Sequence, residues 1–319
     1  MGKRTAPTMA KAVALGIAAS AFFAFTFVLN RQMNVAGGSW IWSASLRYAF
    51  MLPILAAITI ARKELPKVLA EIARKPLQWL LWSMVGFGLF YSALCLASTF
   101  GPSWLIAATW QITIIAGALL SPLFLDKAPA KSGVAKVRHR VPRRALLMSS
   151  VILVGIAMLQ LQETKRIPPR DTLIGIGLVI VAAFSYPLGN RKMMELCENR
   201  LSAIQRVFGM TMCSMPFWIL LGAVGICRRR PPSEAQLFQS FLVAVFSGIV
   251  ATVLFFKATD MVSSRIHSLA VIESTQAGEL VFTLLGGVLV FGDLAPSPVG
   301  FAGLALVVLG MVANSLSGS

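Results

Sequence analysis

Acidic side chains are scarce in this chain. Asp and Glu number 12 against 29 Lys and Arg in 319 residues, and charged residues make up 13%. A soluble domain carries about 25% charged residues, so a water-facing globule is excluded. Only two histidines occur, His139 and His267, and neither has a metal-ligand neighbour at a suitable spacing, so no metal centre is expected. The four cysteines (Cys95, Cys197, Cys213 and Cys227) lack CxxC spacing. Most fall in or beside apolar runs, which points to free thiols and away from a disulfide or metal framework. No Gly-rich phosphate loop or Walker pattern is present, so ATP-driven chemistry and cofactors are not expected, nor is an enzyme. Alternating segments of about ten residues, the mark of a transmembrane barrel, are also missing.

What the chain has in abundance is apolar sequence, at 57%. Runs of about 17–25 apolar residues recur from end to end, the pattern of an all-α polytopic membrane protein. Ten candidate spans follow: Ala12–Leu29, Trp40–Ala61, Leu77–Ser98, Trp104–Leu125, Ala145–Leu161, Leu173–Gly189, Ala203–Ile226, Leu237–Ala258, Ile266–Phe291 and Val299–Leu316. The fifth barely spans. The first follows Lys3, Arg4 and Lys11 as a signal peptide would, but it is longer than a usual signal core and reads as a retained helix. Tryptophans at span edges (Trp40, Trp42, Trp79, Trp82, Trp104) fit interfacial anchoring.

A net charge of +17 raises the question of nucleic acid. The basic residues cluster between apolar runs instead of along one face, which is the positive-inside pattern, and no nucleic-acid partner is expected. With the N-terminus inside, cytoplasmic segments hold 19 Lys and Arg and the opposite side 7. Both termini are therefore expected in the cytoplasm, in a plasma (inner) membrane. Arg228–Arg230, on the outer side, dissents. The basic loop Ala128–Arg144 is the longest connection, either a topology determinant or a cytoplasmic surface for anionic lipids.

Against this background, Glu273 and Glu279 stand inside the ninth run, with Gln276 midway. An ionisable group in hydrocarbon costs about 2.5–3.5 kcal/mol on insertion scales, so it must face a polar interior. On one continuous helix the trio would share an arc of roughly 120°. Both carboxylates are candidates for proton coupling and cation binding; a hydrogen bond that locks two helices is the plainer alternative. Trp110 and Gln111 in the fourth run would face the Ile272–Glu273 layer, and a Trp ring beside a carboxylate can cradle a cation. Arg47 either snorkels to the interface or pairs across a cavity, whereas Arg206, near a span edge, should snorkel. Lys257, three residues before Asp260, should form a local ion pair. Pro187 should bend the sixth span and turn Tyr186 and Asn190 inward.

The two halves echo each other. Asn30-Arg31 closes the first span as Asn190-Arg191 closes the sixth; Arg47 and Pro53 lie in the second, Arg206 and Pro216 in the seventh. Val154–Met158 resembles Leu309–Ala313. Five spans per half is an odd number, so the second copy must insert upside down, with a site where the halves meet. The expected division is residues 1–144 for four spans and the basic loop, 145–161 for the fifth span, and 162–319 for the second repeat.

Ten spans as five plus five, Arg47 and Arg206, and Asp126 and Asp293 ending spans four and nine resemble the drug/metabolite transporter superfamily. The Asn-Arg ends and the run Ala270–Glu279 resemble its putative multidrug resistance efflux transporter family. The resemblance implies a cavity built by spans one to four and six to nine, alternating access, and export. The small four-helix relatives carry their essential Glu in the first span, where this chain has no acid, so that role does not transfer by position. The expected activity is secondary active efflux of a small amphipathic or cationic solute by alternating access, coupled to protons at Glu273 and Glu279. The alternative is a metabolite exporter or exchanger for an amino acid, nucleoside or phosphorylated sugar. The expected contacts are Glu273, Gln276, Glu279, Gln111, Trp110, Arg47, Tyr186, Asn190 and Asn30. Expected partners are the solute, protons and anionic lipids, and a homodimer is an open alternative to a monomer.

Overall fold

The computed structural model describes residues 6–130, 133–138, 143–163, 168–198, 200–228, 231–262, 266–290, 292 and 295–316. Among the described residues, seven helices are long and apolar enough to cross a membrane: Met9–Val35, Trp40–Ala61, Pro76–Ala97, Ser103–Leu123, Pro169–Cys197, Ala203–Cys227 and Glu234–Asp260. Three shorter apolar helices, Ser150–Leu161, Ala277–Leu289 and Pro298–Ala313, fall on the expected fifth, ninth and tenth runs. Among the described residues the fold is helical apart from one antiparallel hairpin, Leu125–Ala130 with Gly133–Arg138, which occupies part of the basic segment expected to be loop.

Helix α1 covers Ala6–Val35, α2 Trp40–Ala61 and α3 Leu65–Arg74. The third span is α4 (Pro76–Ser83), a π-helical stretch at Met84–Leu89, and α5 (Phe90–Ala97). The fourth is α6 (Ser103–Trp110) and α7 (Ile112–Leu120), separated at Gln111. Then come α8 (Arg143–Glu163), α9 (Pro169–Cys197) and α10 (Ala203–Cys227). The eighth apolar run holds α11 (Glu234–Leu242), a π-helical stretch at Val243–Ala251, and α12 (Thr252–Asp260). The ninth holds α13 (Ile266–Ser274) and α14 (Ala277–Leu285), separated at Thr275 and Gln276. Helix α15 (Pro298–Leu316) ends the bundle.

Local sequence explains several boundaries. Ser39 caps α2 through the Ile41 N–H. Ser202 and Gln205 form a reciprocal capping box on α10, satisfying two otherwise orphaned donors. Pro53, Pro187 and Pro216 all lie inside helices that continue through them.

Helix α1 packs on the Val243–Ala251 stretch, α12 and α14; α9 packs on the Met84–Leu89 stretch, α5 and α7. Helix α2 packs on α10, and α8 on α15. Glycine permits two of these approaches. A Cβ on Gly155 would stand 2.6 Å from the Gly303 carbonyl oxygen, joining α8 to α15. A Cβ on Gly189 would stand 2.6 Å from the Gly86 nitrogen and 3.1 Å from the Trp82 carbonyl oxygen. Overpacking of this kind costs about 1–3 kcal/mol. Gly189→Val is therefore expected to lower thermal stability in detergent; an unchanged melting temperature would show that α9 and the third span are not held at backbone contact.

Helix α3 ties the two halves together at one end of the bundle. Its Val68 and Glu71 are buried, and Glu71 accepts hydrogen bonds from Arg200 Nε at 2.6 Å and from Arg74 at 3.2 Å. Trp79 is 1% exposed and packs beside Gly209, and Trp104 is fully buried, so neither is the interfacial anchor expected from its position. The Arg200 guanidinium holds the Glu71 carboxyl below its usual 4.5. A lowered acid pKa contributes stability above the unfolded value, and that contribution disappears as pH falls through the folded value. On acidification from pH 6 to below 4.5, wild type is expected to lose more stability than Glu71→Gln, read as melting temperature against pH. Parallel curves would contradict the assignment.

Candidate functional site

The fourth and ninth spans are both broken, and polar side chains at each break bond back to the preceding turn. Thr109 Oγ1 donates to the Leu105 carbonyl at 2.8 Å and Gln111 Nε2 to the Ala107 carbonyl at 3.0 Å. Ser274 and Thr275 donate to the Val271 and Ile272 carbonyls, each at 2.7 Å. Such bonds compete with the helical ladder. The consequence corrects the expected 120° stripe: Glu273, Gln276 and Glu279 do not share one continuous helix. Gln276 occupies the N-cap position of α14 without a side-chain capping bond, and Glu279 lies in the first turn of α14, where the positive end of the helix dipole favours a negative charge.

Glu279 is 2% exposed and faces the bundle interior, with the Trp110 side chain as its hydrogen-bonding neighbour. Around Trp110 the rings are contiguous. Phe90 lies 5.2 Å and Tyr186 5.8 Å from it, centroid to centroid, and Phe90 and Tyr186 are 4.7 Å apart. Phe255 extends the group at 6.3 Å from Tyr186. Such a surround suits a cation with an aromatic body, held by ring faces and by one carboxylate.

Arg47 joins the same rings through Tyr91. Phe90 is 6.0 Å from Tyr91, and the Arg47 guanidinium sits 4.0 Å above the Tyr91 ring centroid and 5.7 Å from that of Tyr48. Tyr48 stacks on Trp218 at 4.3 Å. Arg47 donates to Thr26 Oγ1 at 3.2 Å, and Asn30 Nδ2 donates to the Tyr91 hydroxyl at 3.2 Å and to Cys95 Sγ at 3.3 Å. Arg47 is 3% exposed, so it does not snorkel, and it forms no ion pair with a carboxylate among the described residues.

Several buried polar atoms here have no hydrogen-bond partner among the described residues: Tyr186 Oη, Gln111 Oε1, Asn190 Oδ1 and Arg47 Nε. An unsatisfied buried group costs about 1–3 kcal/mol, so each is a position where a solute or water atom would be stabilising. The expected residues thus divide in two. Trp110 packs on Tyr186 and neighbours Glu279, Arg47 and Asn30 join through Tyr91, and Gln111 and Gln276 stand buried at the two helix breaks. The backbone of Glu273 lies in α13, but its side chain is outside the described residues, as are those of Asp126 and Asp293.

Arg206 departs from expectation. It is 1% exposed and pairs with Asp260 at 2.9 Å, linking α10 to α12, so it neither snorkels nor leaves Asp260 to Lys257, which is exposed. Sequence reasoning also passed over Tyr48, Tyr91, Phe90, Phe255 and Trp218. A signal was present: of the chain's three tyrosines, Tyr48 and Tyr91 lie well inside apolar runs, away from the interfaces where tyrosine concentrates.

Among known proteins, the uncharacterised YjlA of Bacillus subtilis is 48% identical over 307 residues, 96% of this chain and 95% of its own. An uncharacterised 42.1 kDa protein of Shouchella clausii is 45% identical over 269 residues, 84% of this chain and 70% of its own. One crystal structure shares the fold at a TM-score of 0.65, with 14% identity over 97% of this chain and 98% of that one. The model of the EmrE family, described as "Putative multidrug resistance efflux transporter", matches residues 10–319. With apolar membrane-length helices throughout, the chain is an integral membrane protein and belongs to that transporter family.

Proposed function

We propose that this protein is a secondary active exporter of small amphipathic or cationic solutes, coupled to protons and working by alternating access. The observation that carries the reading is Glu279: an acid buried in the bundle, at the start of a half-helix, beside Trp110, which packs on Tyr186. A carboxylate in that setting can hold either a proton or a cation, and exclusive occupancy is what couples opposite fluxes.

Ten spans in two oppositely inserted halves, with both termini cytoplasmic, supply the alternating frame. Support comes from matching irregularities: π-helical stretches in spans three and eight, and breaks in spans four and nine. The helix pairings also keep their pattern when first-half spans are exchanged for second-half ones. Interrupted helices at corresponding positions of two halves mark transporter binding sites. The first repeat is taken as residues 1–144 with the fifth span at 145–161, and the second as 162–319. In everted vesicles carrying the protein, uptake of a labelled aromatic cation is expected to collapse on adding a protonophore. Uptake indifferent to the proton gradient would defeat the coupling.

The second reading, export of a metabolite bearing an anionic group, draws on Arg47, a buried cation with no carboxylate partner among the described residues. Arg206, likewise buried, is paired with Asp260.

A further inference from the structure

Two opposite charges are buried in the same ring-lined interior, and each is without an oppositely charged partner among the described residues. Glu279 is 2% and Arg47 3% exposed. Burial of a charge is strongly unfavourable unless it is paired. A solute with a single positive charge would satisfy Glu279 and leave Arg47 as it stands. A solute with both charges would satisfy both.

The geometry limits what such a solute can be. Arg47 lies 4.0 Å above Tyr91, Tyr91 is 6.0 Å from Phe90, and Phe90 is 4.7 Å from Tyr186 and 5.2 Å from Trp110, the neighbour of Glu279. The guanidinium lies over the Tyr91 and Tyr48 rings, and no ion pair joins it to Glu279. The line of contacts from the guanidinium to the neighbour of Glu279 thus runs over Tyr91 and Phe90 in turn. An α-amino acid, with both charges on one carbon, is too short to follow that line. The Tyr186 hydroxyl beside it is buried and without a hydrogen-bond partner among the described residues.

We infer that the site takes an elongated zwitterion: an ammonium group at Glu279, a carboxylate at Arg47, and an aromatic body along Phe90 and Tyr186. The inference rests on the carboxylate-site reading proposed above and adds the anionic end.

The test measures equilibrium binding to the purified full-length protein in detergent, with three probes on one biphenyl frame. These are 4′-(aminomethyl)biphenyl-4-carboxylate, the amine without the carboxylate, and the carboxylate without the amine. Wild type is expected to bind the zwitterion about tenfold more tightly than either singly charged analogue. Arg47→Gln is expected to bring the zwitterion-to-amine ratio close to one, and Arg47→Lys, which keeps the charge, to retain most of it. The probe comparison on wild type needs no variant, so a poorly folding Arg47 variant cannot rescue the idea. Amine binding as tight as zwitterion binding would overturn the inference, as would free phenylalanine binding as tightly as the long zwitterion. If Glu279→Gln still weakens amine binding in that case, the exporter reading survives by itself. If Glu279→Gln leaves amine binding untouched, the carboxylate site itself is wrong and both readings fall.

Discussion

Glu279→Gln is expected to abolish proton-driven solute transport while leaving the protein folded. Glutamine fills nearly the same volume and can still accept from Trp110, so packing at the start of α14 should survive. What disappears is the negative charge, and with it the choice between a proton and a cation. Loss of one partner of a buried charge pair costs about 2–5 kcal/mol in binding, so affinity for a cationic solute should fall roughly 30-fold or more. The measurement is flux in proteoliposomes under an imposed pH gradient, beside binding in detergent. Gradient-driven flux at wild-type levels in this variant would remove Glu279 from the mechanism. A variant that binds normally but fails to transport would assign Glu279 to proton exchange alone.

The second large effect concerns stability at one end of the bundle. Arg206 is essentially inaccessible, and Asp260, 24% exposed in its side chain, holds one of its terminal nitrogens at 2.9 Å. The guanidinium also lies 4.6 Å above the Phe256 ring centroid, while its Nε and Nη2 have no partner among the described residues. Removing one member of a buried pair costs about 3–5 kcal/mol because the other charge stays behind. Asp260 is partly solvated, so Asp260→Ala should fall near the lower end, about 3 kcal/mol. Replacing both residues, Arg206→Leu with Asp260→Leu, removes the stranded charge and should recover most of that loss. Thermal unfolding of the three proteins decides it. A single Asp260→Ala variant as stable as wild type would mean that Arg206 finds water, contrary to its burial.

The membrane character of this chain and the positions of its helices were legible in the residues. Hydrocarbon demands about 20 apolar residues per crossing and leaves charged residues to the connections, and the ten expected runs fall where apolar helices lie. Glu279, Trp110, Tyr186 and Arg47 were also legible, because a polar or aromatic group deep in an apolar run is conspicuous in one dimension. Three things were not. The breaks at Gln111 and at Thr275–Gln276 depend on side chains bonding back to particular carbonyls, a competition that periodicity does not register. The pairing of Arg206 with Asp260 joins residues 54 positions apart and needs α10 beside α12. The row of rings between Glu279 and Arg47 draws on spans two, three, four, six and eight, and only their packing brings it into existence. Apolar length is a property each segment carries alone, so sequence determines it. Which charge meets which partner, and across what distance, is a relation between segments, and only the tertiary structure decides it.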